Sequence, residues 1–165
     1  MTQTQTTTVF SEQPEVRRNR ATVHEFPYEH QRNVISEPDY GWRREIVDRL
    51  QDLIALEVGW DGYQGEPVSF ENAVFALRVL ESICSNHDPI PQIVPGAGGD
   101  LQIEWHTHMA DIELHIIAPN NVQAWIATEE TGPDGIDYHL TIDFTEVARQ
   151  IRKMTERASD RATTA

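Results

Sequence analysis

The chain has 165 residues, 39% of them apolar, and a formal charge of −14 from 27 acidic and 13 basic side chains. That length holds one domain with tails and enough apolar material for a core. No apolar run approaches a membrane span and no charged-then-apolar leader opens the chain, so a cytoplasmic protein without membrane contact is expected.

The charge is unevenly spread. Residues 39–142 hold 18 acids and four arginines, and no Lys or Arg stands between Arg78 and Arg149. Such a surface repels phosphate backbones and anionic lipid and attracts basic proteins or cations, so direct nucleic-acid binding is not expected. The single Cys84 has no disulfide partner within the chain and sits among apolar residues, where it reads as a small buried hydrophobe.

Residues 1–38 are rich in Thr, Gln, Glu, Arg and Pro, and they read as a disordered arm unable to bury enough surface to offset its ordering entropy. Its Arg17-Arg18-Asn19-Arg20 cluster reads as solvated, and its Phe26-Pro27-Tyr28 patch is free to dock on the body or elsewhere. The folded domain is expected over residues 39–157. Asp39 to Val58 shows helical periodicity through Ile46, Val47, Leu50, Leu53 and Ile54, with Gly59 placed as a C-terminal glycine cap.

Gly59 to Pro67 then reads as a structured turn. Gly59, Gly62 and Gly65 let the backbone double back, with Trp60 and Tyr63 expected to fold under it onto the core. Ser69 is the expected N-cap of a second helix reaching about Asn86. Its apolar residues lie on more than one face: Phe70, Val74, Leu77, Leu80 and Cys84 on one, Phe75 and Val79 towards another.

After His87-Asp88-Pro89-Ile90-Pro91 the period changes from 3.6 to 2. Strands are expected at 92–95, 100–107, 110–118, 122–128 and 136–142. Ile136, Tyr138, Leu140 and Ile142 share one face of the last. A final helix opens with a capping box, Asp143 as N-cap and Glu146 at N3, and carries the stripe Phe144, Val147, Ala148, Ile151 and Met154. Residues 158–165 are expected to fray. The fold class is α+β: two N-terminal helices, a four- or five-stranded antiparallel meander and a C-terminal helix, with the helices covering one sheet face.

The Gly59-Trp60-Asp61-Gly62-Tyr63 turn, followed by Pro67, a helix and Gly98-Gly99-Asp100-Leu101-Gln102-Ile103-Glu104-Trp105, resembles a group of small bacterial proteins of unknown function. The likeness spans about residues 53–116 and departs at Gln64-Gly65-Glu66, where a shorter Gly-Ala step belongs. It implies a compact cytosolic bacterial domain and supplies no catalytic residue.

A tight hairpin around Thr107–Ala110 pairs Trp105 with Ile112, Ile103 with Leu114 and Leu101 with Ile116. On its other face His106 meets Asp111, Glu104 meets Glu113, and Gln102 meets His115, with His139 nearby. Glu104, His106, Asp111, Glu113 and His115 combine imidazole and carboxylate as a zinc or manganese site does. Alternation alone also places polar residues on an outer face, so a solvated surface is the plainer reading. Asp61 reads as a turn-holding acceptor, Gly96–Gly99 lacks the helix and lysine of a phosphate cradle, and no activated nucleophile stands out.

Two function classes follow. The first is a non-catalytic acidic interaction module, an inhibitor, immunity or accessory subunit whose Glu104, Asp111, Glu113, Glu129, Glu130 and Asp137 meet a basic protein partner, with no cofactor. The alternative is a small metal-dependent enzyme using the His/carboxylate patch.

Overall fold

The computed structural model describes residues 40–164, with side chains to Arg157; the expected N-terminal arm lies outside the described residues. Three helices, α1 (Arg43–Ile54), α2 (Phe70–Ile83) and α3 (Thr145–Thr164), accompany five strands: β1 (Gln92–Pro95), β2 (Leu101–His106), β3 (Ala110–Ala118), β4 (Asn121–Thr128) and β5 (Gly132–Leu140). The strands form one antiparallel meander in the order β1-β2-β3-β4-β5. The class is α+β, with α1 packed over β1, α2 over β2 and β3, and α3 over β3. Among the described residues no helix is long and apolar enough to cross a membrane.

Period-2 alternation makes the sheet two-sided. Leu101, Ile103, Trp105, Ile112, Leu114, Ile116, Val122, Ala124 and Ile126 are buried beneath the helices, while their neighbours face away. Burying each Leu or Ile contributes roughly 1.5–3 kcal/mol, so a one-residue slip that turned this set outward is strongly disfavoured. The β2–β3 register is the one the Thr107–Ala110 turn predicts, from Leu101 opposite Ile116 to His106 opposite Asp111. Thr107 holds the turn: its Oγ1 accepts from the N–H of Met109 (3.2 Å) and of Ala110 (3.1 Å).

Several boundaries differ from expectation for tertiary reasons. α1 stops at Ile54, because the Leu53 carbonyl accepts from the Val68 N–H (3.2 Å) of the returning chain. Gly59 (φ +86°) therefore serves the turn rather than the helix end, and its N–H donates to the Gly65 carbonyl at 2.8 Å. Trp60 and Tyr63 do not pack on the core. Tyr63 is 88% exposed, and half-buried Trp60 donates from Nε1 to the Glu66 carbonyl (3.0 Å), bracing the turn from its own side. The buried indoles are Trp42, bonded to the Ser85 carbonyl (3.0 Å), and Trp105, bonded to the Pro89 carbonyl (2.9 Å).

α2 begins where its cap is predicted, Ser69 accepting from the Asn72 N–H at 3.2 Å, but it is rotated from the expected face. Ala73, Ala76, Val79, Leu80 and Ile83 go inward, and Phe70 is 65% exposed. Two alanines let the helix approach the sheet closely, and the larger ring is left outside. Asn72 is buried with them, its amide donating to the Gly99 (2.9 Å) and Ile117 (3.3 Å) carbonyls. The helix ends at Ile83, short of Asn86.

β5 spans Gly132–Leu140, earlier in the chain than expected. Ile142 lies beyond it, 83% exposed, and Ile136 is also exposed, while Tyr138 and Leu140 pack against the core. The expected capping box does not close: Asp143 accepts from the Thr145 N–H (2.9 Å), and Glu146 reaches forward to Arg149 and Gln150. The stripe Phe144, Val147, Ala148, Ile151 and Met154 is buried, and the α3 backbone stays helical to Thr164, past the expected fraying point.

Candidate functional site

The face of the sheet turned away from the helices, uncovered among the described residues, collects most of the chemistry-bearing residues, arranged by register into rows across the strands. One row runs Gln92, Glu104, Glu113, Trp125, Asp137. The next runs Val94, Gln102, His115, Gln123, His139, and a shorter one holds His106, Asp111 and Ala127. Four carboxylates, Glu104, Asp111, Glu113 and Asp137, thus share one surface, and none of the five strands contains Lys or Arg. The described cations outside this face sit on the helices: Arg43, Arg44, Arg49, Arg78, Arg149, Arg152, Lys153 and Arg157. The molecule has an acidic sheet side and a mixed helix side.

Local bonds relieve the carboxylates. Glu104 and Glu113 face each other across β2 and β3, but each has its own partner. Gln102 Nε2 donates to Glu113 at 2.8 Å, and His106 Nε2 lies 3.1 Å from Glu104. His106 Nδ1 is 3.3 Å from Asp111, so the ring bridges two carboxylates. The Glu104 contact raises the His106 pKa above its ordinary value, partial burial opposes this, and Asp111 adds to the rise. Both nitrogens are turned to carboxylates, whereas a metal-ligating imidazole keeps one nitrogen for the ion.

His115 is taken out of the predicted patch by Asp100, to which it is hydrogen-bonded at the mouth of β2. Burial pushes the Asp100 carboxyl up, but His115, its own backbone N–H and that of Gly98 hold it below the ordinary value. The five residues predicted as a metal set therefore split into Glu104–His106–Asp111, Gln102–Glu113 and Asp100–His115. Among the described residues no group of three or more His, Cys, Asp or Glu could hold a metal ion.

Glu129 and Glu130 do not join the open-face carboxylates. They lie in the β4–β5 turn, where Lys153 of α3 reaches Glu130 (2.7 Å) and Arg157 reaches Glu129 (3.2 Å). Lys153 holds the Glu130 carboxyl below its ordinary pKa. These two acids meet the chain's own bases. Cations late in α3 also suit its dipole.

Trp125 was not singled out from the sequence, although the inward Val122, Ala124 and Ile126 already imply that it faces out. It stands between Glu113 and Asp137, its Nε1 donates to the Asp134 carbonyl (3.0 Å), and its ring lies over Gly135. A Cβ at Gly135 would come within 2.4 Å of the indole nitrogen, and the residue has φ +64°, so glycine is required twice over.

The turn Gly59, Trp60, Asp61, Gly62, Tyr63 lies apart from the acidic face and is held by Asp61. Its Oδ1 accepts from the N–H of Tyr63 and of Gly65, both at 2.9 Å, and these bonds keep its carboxyl below the ordinary pKa. Beyond it Glu66 N–H bonds the Ala97 carbonyl (2.9 Å) and Ser69 N–H the Gly99 carbonyl (2.9 Å). The turn thereby ties the helices to the β1–β2 loop. Two clefts, of about 600 and 860 Å³, lie beside α2 and between α1 and the β1 edge of the sheet. Cys84 is buried, and burial followed by the Asp88 charge pushes its thiol up to about 12.

Comparison with known protein families, curated proteins and solved structures returns no match to this chain.

Proposed function

We propose that this chain is a non-catalytic acidic interaction module whose open sheet face binds a basic protein partner. Its biological setting would be that of an inhibitor, immunity or accessory subunit in a bacterial cytoplasm, as the turn-and-strand resemblance implies. The observation that carries the reading is the row Glu104, Glu113, Trp125, Asp137 on a face whose strands contain no Lys or Arg. Carboxylates steer a cationic surface into encounter, and an aromatic among them offers a face on which an arginine stacks. A broad face with no enclosed cleft among the described residues suits a macromolecular partner, since small ligands favour enclosed clefts. Glu129 and Glu130 stand apart from this row, each ion-paired with a base of α3.

The test is capture of the partner with the tagged full chain, followed by kinetics against the Glu104→Gln, Glu113→Gln double variant. The captured protein should be basic, and association should slow steeply as salt shortens the Debye length to about 8 Å. The double variant should bind more weakly by about 1–3 kcal/mol. Its stability should stay close to that of the native chain, because both amides still accept hydrogen bonds and the change removes two like charges that face each other across β2 and β3. Unchanged affinity in the double variant, or a partner whose association ignores salt, refutes the reading.

A further inference from the structure

The outward face of α2 carries an exposed stripe that the acidic sheet face does not explain. Glu71, Val74, Arg78 and Ser82 follow one another at helical spacing, flanked by Phe70 at 65% exposure and by Phe75. They form the floor of the cleft of about 600 Å³, and Ile142, 83% exposed, stands in its wall. Glu71 and Arg78 have no ion-pair partner among the described residues. They cannot reach each other easily along one helix, because seven residues rise about 10.5 Å. An apolar cleft edged by one anion and one cation marks an interaction surface.

We propose that this stripe is a two-fold interface between copies of this chain, with α2 packed antiparallel on α2. The midpoint between Glu71 and Arg78 falls between Val74 and Phe75. A two-fold axis there sets Glu71 against Arg78 of the second copy, and Arg78 against Glu71 of the second copy. It also brings the two copies' Val74 side chains together on one side of the axis and their Phe75 rings together on the other. One surface thus supplies both halves of the contact, as an isologous interface requires. The charge pattern selects a second copy because it complements itself only in this antiparallel arrangement. The acidic sheet faces lie on the other side of each copy and remain uncovered.

Sedimentation of the full chain over a concentration series tests this. The native chain should dimerise reversibly, and Glu71→Arg or Arg78→Glu, each of which turns two attractions into two repulsions, should weaken the dimer at least about tenfold. Mixing the two single variants should restore dimers, since the first carries only cations at both positions and the second only anions. The doubly exchanged chain, Glu71→Arg with Arg78→Glu, should self-associate like the native one. Val74→Glu, beside the axis, should be monomeric with an unchanged melting temperature in dilute solution. A monomeric native chain, single variants that associate as it does, or a mixture that stays monomeric each overturns the proposal. The Glu104→Gln, Glu113→Gln variant should dimerise normally, which keeps this result separate from partner binding.

Discussion

Trp60 and Trp105 separate a turn brace from a core residue. Trp105 is 2% exposed, packed in the apolar cluster beneath the helices, and its Nε1 satisfies the Pro89 carbonyl. Truncating it to alanine removes a large buried ring and leaves a cavity, which costs about 3–5 kcal/mol. Trp60 is half-buried, lies outside that cluster, and contributes one hydrogen bond to Glu66 plus partial apolar cover over Gly65. Losing these should cost about 1–2 kcal/mol. With each kcal/mol moving Tm by about 3–5 °C in a domain of this size, Trp105→Ala should melt about 9–25 °C below the native protein and Trp60→Ala about 3–10 °C below it. Calorimetry with parallel urea unfolding measures both, and an unchanged urea slope confirms that the unfolding transition is the same one. A Trp60→Ala loss as large as that of Trp105→Ala would place the turn indole in the core and refute this division.

An NMR titration of His106 should give a pKa above its ordinary 6.5, with Glu104→Gln lowering it more than Asp111→Asn because the Glu104 bond is the larger cause. Since the folded-state value is raised, the stabilisation from this ring is fully present below about pH 6.5 and fades as pH rises through the folded value; equal shifts in the two variants would refute the ranking. Cys84, with its thiol pushed up to about 12, should resist a thiol-specific disulfide reagent at pH 8 in the native state and react once urea unfolds the chain. Stoichiometric labelling of the native protein at the rate of a free thiol would contradict its burial.

Local chemistry made parts of this molecule legible. The alternation of 101–106 and 110–116 around a four-residue turn left one pairing that buried all the apolar residues, and Ser69 could cap only a helix that followed it. The same alternation placed Glu104, Glu113, His106 and Asp111 on one face. Other features depended on contacts between distant segments. α2 is apolar on several sides, and the expected faces left out Ala73 and Ala76; close approach to the sheet buried these with Val79 and Leu80 and left Phe70 outside. Turn chemistry suggested that Trp60 would fold onto the core, whereas the buried indole near the N-terminal helix is Trp42, placed by the docking of α1 on α2. Charge counting treated Glu129 and Glu130 as open to a partner, although α3 returns Lys153 and Arg157 to them. Asp100 likewise claimed His115 from the row that register had assigned it. Periodicity encodes which face a residue takes because each residue's direction follows from its own backbone. Which charge meets which, and which of several apolar faces is buried, is set by where separate segments come to rest in the packed chain.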